Sequence, residues 1–237
     1  MAQPLARRLV AEFVGTALLL AAVVGSGIAA QRLSPNDVGL ELLENAIATA
    51  AALIAIILAL GPVSGAHLNP AVTLVDWAFG GTSARVAMAY SISQVLGGVC
   101  GTVAANLMFG LSVVEISTKS RFGAGLWFAE GVATLGLLLV IFGVVRSGRA
   151  PVAPFAVGAY IAGAYWFTAS TSFANPAVTI AREFSNSFAG IAPGSVIPFL
   201  IAQLVGAGLA IALVRFLYPD MAIAADRVVV PHGEGGR

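Results

Sequence analysis

Asn69-Pro70-Ala71-Val72-Thr73 returns as Asn175-Pro176-Ala177-Val178-Thr179, and both copies stand inside long uncharged stretches. Asn before Pro is a helix start. The asparagine side chain caps the first turn, and proline takes the first helical position, where no backbone N–H is needed. Residues 45–75 and 150–181 contain no Asp, Glu, Lys or Arg. Each run is longer than one membrane crossing of about 20 residues. Each is also interrupted, by Gly61-Pro62-Val63-Ser64-Gly65 in one and Ser170-Thr171-Ser172 in the other. The pattern predicts a full helix, a loop that dips back into the membrane, and then a short half-helix. A helix starting at that depth aims unpaired N–H groups and a partial positive charge at whatever lies beyond its tip. Irregular backbone there is tolerable only against protein or water, so both hairpins should line a cavity.

The rest of the chain is consistent with a membrane protein. Apolar residues make up 59% of its 237 residues and charged residues 10%, with a mean hydropathy of +0.94; a soluble domain is about 25% charged. Six spans fit, at roughly 8–30, 41–60, 84–109, 125–145, 153–169 and 195–217. Arg7 and Arg8 precede an apolar run to Ala29-Ala30 that is too long for a signal-peptide core, so it reads as an uncleaved first span. A net charge of +1 without a polybasic run argues against a nucleic-acid partner. One cysteine, Cys100, allows no internal disulfide and reads as a small packing residue. No Cys/His cluster points to a metal, and nothing points to another cofactor. No nucleophile–base pair suggests an enzyme.

The two halves repeat more than the pentapeptide. Ala11-Glu12-Phe13-Val14-Gly15-Thr16 pairs with Ala129-Glu130-Gly131-Val132-Ala133-Thr134, and Gln94-Val95-Leu96-Gly97-Gly98 with Gln203-Leu204-Val205-Gly206-Ala207. Repeat one covers about 8–110 and repeat two about 124–217, within one membrane domain over 1–237. Three crossings per half is odd, so the second half enters from the opposite side, and inverted repeats follow. Cytosolic termini place Arg7, Arg8, Arg85, Arg146, Arg149, Arg215, Arg227 and Arg237 inside, against Arg32, Lys119, Arg121 and Arg182 outside. That bias puts both ends, and a tail at 218–237, in the cytosol. The short loops suit a bacterial inner membrane.

On these motifs, from Glu12 to the helix of Gln203, the chain resembles the aquaporins, or major intrinsic proteins. The resemblance implies an all-α fold of six tilted helices with two half-helices meeting at mid-membrane, one pore per subunit, and a homotetramer. Gly97, Gly98, Gly101, Gly206 and Gly208 suit close helix packing, or are ordinary residues of an Ala/Gly-rich span. Asn69 and Asn175 each offer an oxygen to cap a half-helix and an NH₂ to a permeating molecule. In pores of this family, half-helix dipoles exclude protons and cations. Glu12 and Glu130 are intramembrane carboxylates, costly unless hydrogen-bonded. By resemblance they brace the re-entrant loops, a proton relay being the alternative. His67, two residues before Asn69, matches the family's histidine lining the cytosolic half of the pore, the alternatives being a satisfied buried histidine or a pH-sensitive one.

The resemblance places a four-residue filter at Thr49, Gly163, Ser172 and Val178, with Phe173 next to Ser172. The arginine that usually follows the second Asn-Pro-Ala is replaced by Val178. No aromatic stands at Thr49, so the expected filter is wide and short of fixed charge. Arg182 lies four residues beyond Val178, roughly 6 Å further along the same helical face. It should sit in the outer mouth or cap the half-helix, with Glu183 beside it, and Asn45, one turn before Thr49, is another mouth residue. The resulting expectation is a passive channel for glycerol and other polyols, urea, metalloid hydroxides such as arsenous acid, and water. The alternatives are a mainly water-selective pore and a secondary transporter with alternating access.

Overall fold

The computed structural model describes residues 3–219; most of the expected tail at 218–237, with Arg227 and Arg237, lies outside them. Six helices are long and apolar enough to cross a membrane. They are α1 (Leu5–Leu33), α2 (Val38–Ser64), α4 (Ala84–Met108), α5 (Ala124–Arg146), α6 (Ala153–Phe167, which reaches span length with the 3-10 turn Ala150–Val152 before it) and α8 (Pro193–Leu217). Two short helices complete the set, α3 (Pro70–Ala78) and α7 (Pro176–Ala181). The fold is therefore all-helical, with six spans and two re-entrant half-helices.

Local chemistry fixes several helix ends. Asp37 caps α2 by accepting from Leu40 N at 2.9 Å, and Ser83 caps α4 by accepting from Val86 N at 3.3 Å. The α2 helix outlasts the expected break at Gly61-Pro62 and runs to Ser64. Pro62 falls in its last turn, where it leaves the Leu58 carbonyl without the usual helical N–H from four residues on. Gly65, at φ 90°, then closes the helix through its N–H to Gly61 O, a left-handed stop that glycine adopts without strain. The α6 helix ends at Phe167, where Thr168 turns extended.

Packing is unchanged when the halves are exchanged. The α1–α4 and α5–α8 pairs correspond, as do α1–α2 and α5–α6, and the half-helices α3 and α7 each touch both α4 and α8. The α2–α6 contact maps onto itself at the join. This is the pattern of inverted repeats. Four of the five expected packing glycines sit where backbones meet. A Cβ on Gly97 would lie 2.2 Å from Phe13 O, on Gly101 2.0 Å from Ala17 O, on Gly206 2.5 Å from Gly131 O, and on Gly98 3.1 Å from Ala181 Cβ. Gly208 faces open space. Cys100 lies exposed on the outer side of α4, away from the packed interior.

Polar groups are buried among an apolar core, and large apolar side chains also cover the outside. Glu12, Gln94, Glu130 and Gln203 are fully buried, whereas Leu18, Ile47, Leu96, Phe128, Ile197 and Leu209 are exposed. An apolar belt of that kind requires lipid around it. The molecule is an integral membrane protein.

Candidate functional site: a cavity between the half-helices

Asn69 and Asn175 start α3 and α7 in the same way. Asn69 Oδ1 accepts from Ala71 N at 2.8 Å; Asn175 Oδ1 accepts from Ala177 N at 2.9 Å and Val178 N at 3.3 Å. The amide nitrogens reach across to the other repeat. Asn69 Nδ2 donates to Ala174 O, and Asn175 Nδ2 to Leu68 O, both at 2.8 Å. Each NH₂ thus spends one N–H on the opposite loop and keeps one for the cavity that both residues line. The reciprocal bonds hold the two helix N-termini tip to tip.

The loops presenting those tips are strained in matching places. Ala66 and Leu68 in one repeat, and Ser172 and Ala174 in the other, have φ between 46° and 52°. A non-glycine residue held there costs on the order of 1–3 kcal/mol and persists only when its surroundings fix it. Two carboxylates do the fixing. Glu12 Oε1 accepts from Ser64 Oγ at 2.6 Å and His67 N at 3.0 Å, and Oε2 from Leu68 N and Gln94 Nε2, each at 2.7 Å. Glu130 accepts from Phe173 N at 2.8 Å, Ala174 N at 2.9 Å and Gln203 Nε2 at 2.7 Å. Gln94 and Gln203 also reach Thr73 Oγ1 at 3.1 Å and Thr179 Oγ1 at 2.8 Å, tying each loop to its half-helix.

A cavity of about 70 Å³, counted as space open to the centres of water molecules, runs along these loops. At ~10–15 Å³ per water by that measure it holds several. Its apolar walls come in steps of four residues: Leu19 and Val23 on α1, Leu53 and Ile57 on α2, Leu137 and Ile141 on α5, Ala153, Val157 and Ile161 on α6. The re-entrant loops and half-helices bring polar groups at His67, Asn69, Ser172, Asn175 and Arg182, and the helix walls add two hydroxyls, Thr49 on α2 and Tyr165 on α6. His67 Nδ1 lies 3.1 Å from Thr73 Oγ1, and its ring packs edge-on against Tyr90 at 5.4 Å.

Thr49, Ser172, Phe173 and Val178 all line the cavity, but Gly163 does not. Gly163 is exposed on the far side of α6. The α6 stripe is Ala153, Val157, Ile161 and Tyr165, and two residues from Ile161 is a turn of about 200°. Tyr165 stands in the cavity instead, its hydroxyl 3.1 Å from Thr49 Oγ1. Tyr165 and Phe173 both bring rings to the cavity wall, Phe173 from beside Ser172 as its position allowed and Tyr165 from a helix face that the sequence did not mark. Asn45 is also displaced from its expected place in the mouth. Its Nδ2 donates to Val23 O and Ser26 Oγ, both at 2.8 Å, which holds it between α1 and α2.

Arg182 lines the cavity and is almost fully buried, at 1% exposure. Its guanidinium carbon lies 3.5 Å from the centroid of the Phe173 ring, and Nε donates to Ala189 O. Sequence reading counted Arg121 only as an outside charge, yet it is buried too, 4.9 Å from the same ring. It donates to Gly190 O at 2.8 Å, Phe188 O at 3.2 Å and Ser170 O at 3.3 Å. No sequence signal marked Arg121, because its partners are backbone carbonyls of distant loops. Lys119, beside Arg121 on the same loop, donates to Phe188 O at 2.7 Å. Burial, and then the charges of Arg121 and Arg182, push its ammonium down to about 8. Among the described residues no cluster of His, Cys, Asp and Glu is placed to hold a metal ion.

The sequence pattern of the major intrinsic proteins matches residues 2–172. The aquaglyceroporin AqpS of Rhizobium meliloti is 53% identical over 213 residues, covering 90% of this chain and 91% of its own. Aquaporin AqpM of Methanothermobacter marburgensis is 32% identical over 240 residues, covering 90% and 98%. Among solved structures, the aquaglyceroporin of Plasmodium falciparum superposes with a TM-score of 0.73 at 21% identity, over 93% of this chain and 100% of that one.

Proposed function

This chain belongs to the major intrinsic protein family, and on that premise we propose that its cavity is the pore of a passive channel for water and small uncharged solutes such as glycerol. The observation carrying the proposal is the pair of half-helices held tip to tip, with Asn69 and Asn175 both lining the cavity. Two helix N-termini and two amide N–H donors offer a permeating oxygen hydrogen bonds in place of water, and set a positive field against cations. The facing helices are mostly apolar, with the Thr49 and Tyr165 hydroxyls as their polar groups, so a solute is held mainly along the half-helix side. Glycerol, with hydroxyls along one edge of a carbon chain, fits a passage of that polarity. Other polyols, urea and metalloid hydroxides share its small size and neutral oxygens or nitrogens, and the proposal extends to them.

In this reading the constriction consists of Thr49, Tyr165, Ser172 and Val178, with Phe173 against it and Tyr165 in the place expected for Gly163. Glu12 and Glu130 brace the loops rather than carry protons, since their oxygens are occupied by loop and glutamine donors. The whole chain acts as one channel unit with cytosolic termini, in a bacterial inner membrane and as a homotetramer. Chemistry on the solute is no part of the function; the family is one of channels.

The test is solute-driven swelling of proteoliposomes, with water permeability measured in parallel. Wild-type protein should speed both water and glycerol entry. Val178→Arg puts a long cation into the constriction and should reduce glycerol flux more than water flux. A wild type that passes water but no glycerol would refute the aquaglyceroporin reading in favour of a water-selective pore closed by Tyr165 and Phe173.

A further inference from the structure

Two buried arginines share the Phe173 ring, and their hydrogen bonds separate their roles. Arg121 is spent on structure: Nε, Nη1 and Nη2 each meet a backbone carbonyl. Arg182 is not. Among the described residues its guanidinium makes one hydrogen bond, from Nε to Ala189 O. Its terminal nitrogens make no hydrogen bond among the described residues, and Arg182 lines the cavity. An arginine needed only to pin a loop would take carbonyls as Arg121 does, because unspent buried donors are costly. Bringing a second guanidinium up to one ring adds like-charge repulsion as well. Glu183 does not offset it, for no salt bridge joins the two. Nearby, Ser172 Oγ is buried in the same cavity and also lacks a hydrogen-bond partner among the described residues.

We propose that Arg182 is the specificity-determining cation of this passage: held flat on Phe173, it repels cations and presents its terminal N–H groups, together with the Ser172 hydroxyl, to the oxygen of a neutral permeating solute. The side chain starts four residues past Asn-Pro-Ala-Val, so its reach into the cavity depends on the clamp. Ring contact at 3.5 Å and the Nε bond fix the plane of the fork, and Ile191 N anchors the main chain by donating to Arg182 O at 3.3 Å. A lysine at this position keeps the charge but has no planar fork to lay on the ring. Phe173 is the positioning residue; Glu130, which accepts from Phe173 N, sets the clamp from behind.

The proposal rests on the channel reading, and one set of measurements tells their failures apart. Proteoliposomes carrying wild type, Arg182→Met, Arg182→Lys and Phe173→Leu are assayed for water, glycerol and potassium fluxes. Wild type should pass water and glycerol and no potassium. Arg182→Met should admit potassium at least about tenfold above wild type, since one fixed charge is removed from a low-dielectric passage. Arg182→Lys should still exclude potassium but show a lower glycerol-to-water ratio, having lost the fork. Phe173→Leu should leak potassium to an intermediate degree. If Arg182→Met excludes potassium with an unchanged glycerol-to-water ratio, Arg182 is structural and the proposal falls. If that variant does not assemble, unchanged fluxes in both Arg182→Lys and Phe173→Leu overturn it equally. A wild type that speeds neither water nor glycerol takes the channel reading down as well.

Discussion

Replacing Glu12 separates a hydrogen-bonding brace from an ionisable relay, and the structure sets the size of the effect. Four donors converge on this carboxylate: His67 N, Leu68 N, Ser64 Oγ and Gln94 Nε2. In Glu12→Ala the Ser64 hydroxyl can turn and Gln94 can adjust, but the two backbone N–H groups cannot. Each buried orphan costs about 1–3 kcal/mol, so the pair costs about 2–6 kcal/mol. The left-handed conformations of Ala66 and Leu68, which the brace holds in place, then relax and move His67 and Asn69 with them. Glu12→Gln is milder. Its carbonyl still accepts from one side, while its NH₂ meets donors on the other. Gln94 can answer by flipping, because its Oε1 is buried without a partner, so one backbone N–H is orphaned, at about 1–3 kcal/mol. Thermal unfolding in detergent should therefore rank wild type above Gln above Ala, with swelling rates in the same order. Equal stability and flux for Gln and Ala would refute the brace. Proton-coupled uptake abolished by Gln, in protein that assembles normally, would make Glu12 a relay.

Asn69→Ala and Asn175→Ala should each lose about 0.5–2 kcal/mol of stability with the cap and leave one carbonyl, Ala174 O or Leu68 O, unmatched; lower water flux or a cation leak is the expected readout, and unchanged conductance and folding in both would count against the tip-to-tip pore. Gly163→Ala should leave the glycerol-to-water ratio unchanged, because its Cβ would meet only Phe167 at 3.9 Å, and should stabilise the exposed face of α6 by about 0.8–1 kcal/mol; a changed ratio would return Gly163 to the constriction. Lys119 is the sole lysine of the chain, so acylation of its peptide followed by mass spectrometry reads its titration directly. With the ammonium held down to about 8 by burial, the charge is present at pH 7 and lost by pH 9, and reactivity should rise with a midpoint near 8. The same sign makes the folded protein lose stability as pH falls from about 10.5, the ordinary value, to about 8. A labelling midpoint near 10.5 would show that the Lys119 loop does not pack as described.

The number and place of the helices were legible in the sequence because they follow from local chemistry. Hydropathy over about 20 residues marks a span, and Asn-Pro marks a half-helix start through bonds only two or three residues long, as Asn69 to Ala71 N and Asn175 to Val178 N illustrate. Repetition of Glu, Asn-Pro-Ala and Gln supplied the inverted halves. The chain could not announce which side of α6 faces the cavity, since that helix is apolar all round and any phase buries an acceptable residue. Packing against α2 and α5 fixed the phase, bringing Tyr165 to Thr49 and turning Gly163 outward. Asn45 matched the Thr49 face by spacing, but carbonyl and hydroxyl oxygens on α1 captured it first. The partners of Arg121 and Arg182 lie in other loops, on the Phe173 ring and the carbonyls of residues 188–190. A guanidinium on a long flexible stem takes its position from whatever surrounds it, so only the assembled tertiary structure decided where those two charges stand.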